Sequence, residues 1–136
     1  MGDRLTKEAR SRVMRAIRSR HNKNTEETLA SILRQTHIRG WRRHLRLPGT
    51  PDFVFPRARL AVFVDGCFWH LCPKCTSLPR TNAVYWRHKL FKNRARDKYL
   101  TAELKRRGWR VLRIWEHELL DQRKVLLKVH NAIEQA

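Results

Sequence analysis

The three cysteines of the chain lie within nine residues, in the stretch GCFWHLCPKC. Cys67 is followed by Cys72 and Cys75, and the C-x2-C spacing of the last two is common in structural zinc sites. An odd number of clustered cysteines favours a metal over disulfides in a chain without secretory features. A closed tetrahedral site needs a fourth ligand, for which His117 is the best candidate and His70 a competitor. We therefore predict a structural Zn²⁺ site; the alternative is a set of small apolar side chains with a free thiol.

Asp52 and Asp65 are two of only 12 acidic residues. Asp52 begins the run DFVF and Asp65 follows the run LAVFV, and the two runs together predict a β-hairpin. A turn centred between Ala58 and Arg59 would pair Asp52 with Asp65. Paired carboxylates repel unless a cation lies between them, and such oxygen ligands suit Mg²⁺, which activates water in phosphodiester hydrolysis. The alternative is that both are ordinary strand-end residues.

Glu26 and His70 could complete a hydrolytic centre. Glu26 shares a helical face with Leu29, Ala30 and Leu33, so it points toward the core, where a carboxylate must be paired or metal-bound. Alternatively, it only complements the positive end of the helix dipole. If His70 is not a zinc ligand, its neutral imidazole near the two aspartates could accept the proton of an attacking water; otherwise it is a loop histidine with no task.

Several aromatic residues accompany the cysteines. Phe68 and Trp69 sit in a polar loop where burial of both is doubtful, and Trp86 lies near the start of a long helical run. Aromatics held beside a basic surface stack on bases or wedge between base steps. The apolar seam of the helix is interrupted by Asn93 and Asp97, which predicts that this part of the helix faces a polar network.

The charge of the chain indicates a nucleic-acid partner. Lys and Arg number 31 against 12 acidic residues, a formal net charge of +19. Such a protein should bind nucleic acid in a salt-dependent way, although a solvated basic surface would give the same composition. The sequence shows no apolar run long enough for a membrane span and no signal peptide, so we expect a cytoplasmic protein.

The pattern of apolar residues predicts one mixed α/β domain with a single sheet. The expected helices cover about 6–19, 25–35, 82–107 and 118–134. The expected strands cover 41–47, 52–55, 60–66 and 109–115.

Five segments together resemble the very short patch repair (Vsr) DNA mismatch endonucleases: RSRVMRAIRSR, LPGTPDFVF, VFVDGCFWH, WRHKLFKNRARD and GWRVLRIWE. They occur in the order of the family and, with Glu26, span about residues 8–117. The resemblance implies a restriction-endonuclease-like PD-(D/E)xK fold with flanking helices and a structural zinc. It also implies a monomer that uses Mg²⁺ to nick one DNA strand 5′ of the thymine in a T:G mismatch, which arises by deamination of 5-methylcytosine. We thus expect a single domain over 1–136, with a basic DNA-contacting arm at 1–22, in the cytoplasm of a prokaryote and associated with the nucleoid.

The resemblance assigns roles to particular residues. It implies that Asp52 is the central Mg²⁺ ligand, His70 the catalytic histidine, and Glu26 the supporting acidic residue near that histidine. The implied DNA-intercalating residues are Phe68, Trp69, Trp86 and, on the N-terminal arm, Met14. Further expected DNA contacts are Arg15, Arg18, Lys89 and Asn93.

Several positions depart from the family pattern. The best-known members have a histidine at Asp65, and aspartate restores the acidic position of the wider PD-(D/E)xK pattern, with Cys67 in the lysine slot. We therefore predict that Asp65 binds the metal directly. Val64 replaces a threonine whose role belongs to the backbone carbonyl, which can still bind Mg²⁺. A histidine and a cysteine have traded places at Cys72 and His117, which preserves a four-ligand zinc site.

Two other functions remain open at this point. One is a related PD-(D/E)xK endonuclease that acts on another mismatch, another lesion or a particular DNA sequence. The other is a non-catalytic, zinc-braced nucleic-acid-binding module.

Overall fold

The computed structural model describes residues 25–75 and 80–135. The predicted helix at 6–19, the arm at 1–22, and the side chains of Met14, Arg15 and Arg18 lie outside the described residues. None of the helices in the described part of the chain is long and apolar enough to span a membrane.

The described residues contain one four-stranded mixed sheet. Its strands are β1 (Arg42–Arg43), β2 (Phe53–Phe55), β3 (Leu60–Asp65) and β4 (Arg110–Trp115). The spatial order is β1-β2-β3-β4; β1/β2 and β2/β3 are antiparallel, whereas β3/β4 is parallel. The parallel pair is connected through helix α2 (Ala83–Arg106), because parallel neighbours need a long crossover. The predicted mixed α/β sheet is confirmed.

Two further helices pack against the sheet. Helix α1 covers 25–35 among the described residues, and helix α3 covers Gln122–Glu134. The prediction of one continuous helix from 118 to 134 was wrong, because a 3-10 helix (Glu116–Leu120) comes first. The Asp121 side chain accepts a hydrogen bond from the Lys124 N–H and thereby caps a new helix start.

The strand predicted at 41–47 is far shorter in the structure. Only Arg42 and Arg43 pair with β2. His44 adopts a left-handed conformation with φ 57°, which ends the extended backbone. The alternation of apolar and basic residues after it therefore belongs to a loop.

The sheet has apolar groups on both faces. On one face, Phe53, Phe55, Leu60, Val62 and Ile114 join the main core with buried residues of α1 and α3. On the other face, residues Ala61 and Phe63 pack with Leu104 of α2. Asp65 shares the parity of Ala61 and Phe63 along β3, so it lies on the α2 face.

The hairpin forms as predicted, but its register differs. Phe53 pairs with Val62 and Phe55 with Leu60, around a turn closed by the Arg59 N–H donating to the Pro56 carbonyl. Continuing this register places Asp52 opposite Phe63, so the predicted direct pairing of Asp52 with Asp65 was wrong. Because the shift is two residues, each side chain keeps its predicted face, and Asp52 and Asp65 still share one.

Candidate active site

Acidic, basic and imidazole side chains converge on a cavity of about 320 Å³ between the sheet and α2. Six of the polar residues that line it are Asp52, Asp65, His70, Asn93, Asp97 and Arg113. The hairpin supplies the first two, the loop after β3 supplies the histidine, α2 supplies Asn93 and Asp97, and β4 supplies the arginine. Carboxylate oxygens grouped in this way fit a divalent cation such as Mg²⁺.

The loop before Asp52 approaches α2 closely. Gly49 has φ 79°, and a Cβ there would lie 3.3 Å from a methyl carbon of Leu100 and 3.4 Å from the Phe63 ring. Glycine therefore allows both the backbone conformation and the close contact, which positions the chain that leads into Asp52.

Asp52 is a partly buried carboxylate held by the neighbouring strand. Its Oδ2 accepts a hydrogen bond from the Val64 N–H at 2.7 Å. Burial raises the pKa of Asp52 to about 6, the Val64 hydrogen bond opposes this rise, and the charges of Glu26 and Asp65 add to it. A carboxylate that is costly to ionise on its own gains most from a bound cation, so the donor set fits a metal here.

His70 contacts an acidic residue, but a different one from that predicted. Its Nδ1 contacts the Asp97 carboxylate and lies 4.0 Å from Asp65 Oδ1. With Asp97 ionised, Nδ1 carries the proton and Nε2 is the nitrogen that can accept one. Asp97 therefore orients the imidazole, and His70 is a partner of a carboxylate rather than a zinc ligand.

Glu26 does not support His70 as predicted. Its Oε1 binds Arg43 Nη2 at 2.7 Å and His44 Nε2 at 2.8 Å. The reason is that β1 and the residue directly after it place these two side chains beside the start of α1, so the buried carboxylate is paired there. The prediction that Glu26 is directed inward and paired is confirmed, and its charge contributes to the raised pKa of Asp52.

Asp65 is held by an arginine that the sequence analysis did not single out. The residue is only 3% exposed, and both of its oxygens accept hydrogen bonds from Arg113 Nη1 at 3.0 Å. Burial raises the pKa of Asp65, whereas His70 and Arg113 lower it. Direct metal ligation by Asp65 stays a prediction, and any such ligation must coexist with this ion pair.

The aromatic residues form a packed cluster. Phe68, Trp69 and Trp86 meet edge to face, with ring centroids 5.1 to 6.0 Å apart. The expectation that Trp69 is poorly buried was wrong, because it is 5% exposed and packs with Trp86 and Leu90. Phe68 remains partly exposed. The helix seam behaves as predicted, since Asn93 donates to the Trp69 carbonyl and Asp97 contacts His70.

The cysteine cluster has the predicted four members. Ligand atoms of Cys67, Cys72, Cys75 and His117 all lie within 4.8 Å of one another. The three sulfurs lie 3.3, 3.6 and 3.4 Å from His117 Nδ1. Ligand atoms of a tetrahedral zinc site lie about 3.5 to 3.8 Å apart, given Zn–S and Zn–N bonds of about 2.3 and 2.0 Å, so the cluster fits a metal of that kind.

The structure leaves other predicted DNA contacts without a test. Asn93 lines the cavity, whereas Lys89 lies elsewhere on α2 and does not line it. Sequence reasoning missed Arg113, Arg43 and His44. A detectable signal existed for Arg113, because it interrupts the apolar strand VLRIW.

The fold and the site define a PD-(D/E)xK-type nuclease. The structure is similar to the catalytic domain of the homing endonuclease I-Bth0305I, with a TM-score of 0.53 and 25% identity over 79% of this chain and 91% of that domain. The sequence model of the family "DNA mismatch endonuclease Vsr" matches residues 2–76. The chain belongs to this Vsr endonuclease family and is a DNA endonuclease.

Two of the curated relatives that cover most of the chain differ in the activity that they are named for. The type II nicking enzyme V.XorIIP of Xanthomonas oryzae pv. oryzae is 41% identical over 98% of both chains. The DNA mismatch endonuclease Vsr of Escherichia coli is 38% identical over 92% of this chain and 80% of the relative. Membership of an endonuclease family sets aside the non-catalytic binding module considered above.

Proposed function

We propose that the protein is a Mg²⁺-dependent endonuclease that nicks one DNA strand 5′ of the thymine in a T:G mismatch. The observation that carries this proposal is the convergence of Asp52 and the His70–Asp97 pair on one polar cavity. The E. coli relative is named a mismatch endonuclease, which supports the mismatch as the substrate.

The cavity contains the groups that hydrolysis of a phosphodiester requires. Asp52, the Val64 carbonyl and Asp65 would hold Mg²⁺, which when bound activates water and stabilises charge on the phosphate. His70 takes the proton of the attacking water through Nε2, because Nδ1 is engaged with Asp97. Asp97 thus fixes the orientation of the general base, a role that the sequence analysis gave to Glu26.

The cysteine cluster would brace the loop that carries the other functional groups. Zn²⁺ held by Cys67, Cys72, Cys75 and His117 ties both ends of the loop to the residues after β4. Phe68, Trp69 and His70 lie between the first two of these ligands. The same loop therefore couples mismatch recognition to the general base.

The packed aromatic cluster suggests how a wedge would enter DNA. Phe68 is the partly exposed member, so it makes the first contact with a base step, while Trp69 and Trp86 support it from beneath. Unstacking a base step costs a few kcal/mol and less at a mismatch. Intercalation would therefore favour imperfect duplexes, with the N-terminal residue Met14 predicted to act from the opposite groove.

The test is a set of strand-labelled duplexes that differ at one base pair, incubated with the purified monomer and Mg²⁺. The set contains T:G in several sequence contexts, matched C:G and T:A controls, and the other mismatches. We expect nicks only 5′ of the T in T:G, with none from the Asp52→Ala variant. Cutting of matched DNA by the wild-type protein, at a rate equal to that of T:G, would contradict the mismatch proposal.

A second candidate keeps the chemistry and changes the target. The relative from X. oryzae is named a type II nicking enzyme. In addition, Asp65 stands where the best-known family members have a histidine, and it is paired with Arg113. A nickase directed to another mismatch, lesion or sequence would cut a different member of the same duplex set. The cytoplasmic, nucleoid-associated location stays a prediction for both candidates, and the action of the family on DNA is consistent with it.

A further inference from the structure

We propose that Arg113 is a positioning residue of the active site, which fixes the Asp65 carboxylate and the turn of α2 that carries Asp97. It thereby sets the geometry of both carboxylates around His70. The kinetic test of this proposal rests on the proposed function, because it measures nicking. The spectroscopic test does not, because it measures only the contacts of Arg113.

All three nitrogens of the Arg113 guanidinium donate hydrogen bonds within the protein. Nη1 donates to both oxygens of Asp65 at 3.0 Å. Nη2 donates to Thr101 Oγ1 at 2.9 Å and to the Asp97 carbonyl at 3.3 Å, and Nε donates to Thr101 Oγ1 at 3.2 Å. A guanidinium has five donors in a fixed planar arrangement, so this set of acceptors defines one orientation.

The position of Arg113 in the sheet explains why it reaches Asp65. Arg113 pairs with Phe63 in the parallel register of β3 and β4, so its side chain lies on the α2 face of the sheet. Asp65 pairs with Trp115, which is two residues further along β4. Its guanidinium lies 4.3 Å from the centroid of the Phe63 ring. The side chain is therefore sandwiched between the sheet and α2, where it neutralises a carboxylate that would be costly to bury alone.

Arg113 links the two acidic partners of His70. It binds Asp65 through the side chain and Asp97 through the backbone, while the Asp97 side chain contacts His70 Nδ1. Displacement of Arg113 would release Asp65 and the Asp97 turn together. Because all three of its nitrogens donate to groups of the protein, we expect its effect to reach the reaction through these neighbours rather than through a DNA phosphate.

The arginine also supplies a cation that the sequence pattern lacks. The lysine slot of the PD-(D/E)xK pattern holds Cys67, whose sulfur belongs to the cysteine cluster. The positive charge next to the acidic residues comes instead from β4, the parallel neighbour of β3.

The kinetic test compares Arg113→Met, Asp65→Asn and the double variant on the duplex that the wild-type protein nicks. Misplacement of catalytic groups by about 1 Å costs on the order of 100-fold, so we expect kcat to fall by about that factor in each single variant. DNA affinity should stay within about threefold, and the double variant should be no slower than the worse single variant, because the two residues act as a unit. Arg113→Lys should recover part of the rate, since a lysine can reach Asp65 but cannot also hold Thr101 and Asp97.

Arg110→Met is the matched control, because Arg110 lies on the same strand and donates to the Ala58 carbonyl at the far end of the hairpin. It should nick at the wild-type rate. Three results would overturn the proposal: wild-type kcat in Arg113→Met, losses in the single variants that multiply in the double variant, or a loss confined to DNA affinity.

The spectroscopic test does not depend on activity. In nitrogen-15 NMR spectra of the free protein, the Arg113 side-chain N–H signals should be protected from exchange, and Asp65→Asn should shift them and increase their exchange. Unprotected signals that Asp65→Asn leaves in place would overturn the proposal even if the enzyme nicks DNA. If the wild-type protein nicks no duplex, the proposed function fails, and these signals still decide whether Arg113 positions Asp65.

Discussion

The replacement of Asp52 by Asn should stabilise the metal-free protein while it abolishes nicking. Burial raises the pKa of Asp52 from 3.8 to about 6, so the folded protein favours the protonated carboxyl. The rise corresponds to a cost of about 3 kcal/mol for the ionised group at pH above 6. Asn is neutral and can still accept the hydrogen bond from the Val64 N–H, so we expect a gain of about 1 to 3 kcal/mol at pH 8.

The pH dependence of this gain has a defined sign. Between pH 4 and pH 6, the folded state binds more protons at Asp52 than the unfolded state does, so the stability of the wild-type protein falls as the pH rises through this window. The advantage of Asp52→Asn should therefore be absent at pH 4, grow up to about pH 6, and stay constant above it. Added Mg²⁺ should reduce the advantage, because it stabilises only the wild-type carboxylate.

The assay is urea unfolding of the zinc-loaded protein without added Mg²⁺ at several pH values. Asp121→Asn is the matched control, since Asn caps helix α3 as well as Asp does and should change the free energy of unfolding little. The argument from burial would be refuted if Asp52→Asn were less stable than the wild-type protein at pH 8. It would also be refuted if the gain in the free energy of unfolding were the same at pH 4 and pH 8.

Further predictions concern the metal cluster, the wedge, the general base and the basic surface. Cys72→Ser should lose bound zinc, measured by elemental analysis, and should lower the Tm; zinc content equal to wild type would contradict the four-ligand site. Phe68→Ala should weaken binding to a T:G duplex by about 10-fold or more in fluorescence anisotropy, with little change on matched DNA. His70→Gln should lower the single-turnover nicking rate by about 10² to 10⁴ with DNA affinity intact, and an unchanged rate would remove His70 from the mechanism. Affinity for duplex should fall by about 10³ or more between 50 and 200 mM salt, and a flat response would argue against phosphate contacts.

Features that depend on short-range spacing could be predicted from the sequence. Cys67, Cys72 and Cys75 are close along the chain. Spacing left His117 and His70 as candidates for the fourth ligand, and the family pattern favoured His117, which the structure places in the cluster. The hairpin and the faces of Asp52 and Asp65 were also predictable, because alternation along a strand is insensitive to a two-residue shift in register.

Features that depend on the packing of separate elements were not predictable in the same way. Glu26 was expected near His70, but the short strand β1 brings Arg43 and His44 to it instead. Asp97 takes the place near His70, because α2 and the hairpin line the same cavity. The helix seam showed that Asp97 needed a polar partner without showing which one.

The burial of the aromatic residues illustrates the same limit. A polar, cysteine-rich loop suggested exposed rings, yet the loop folds onto the first turns of α2 and buries Trp69 against Trp86. Local polarity does not report the contacts that a distant helix provides. The position of Arg113 inside an apolar strand was a usable signal, since a charged residue there requires a buried partner.

The most direct test of the account is the ratio of single-turnover nicking rates on a T:G duplex and on the matched C:G duplex of the same sequence, with Mg²⁺. We predict a ratio of about 5 to 160, because an unstacking penalty lowered by about 1 to 3 kcal/mol changes a rate by that factor. The nick should fall 5′ of the mismatched T. Equal rates on the two duplexes would contradict the central claim that this active site is directed to a mismatch.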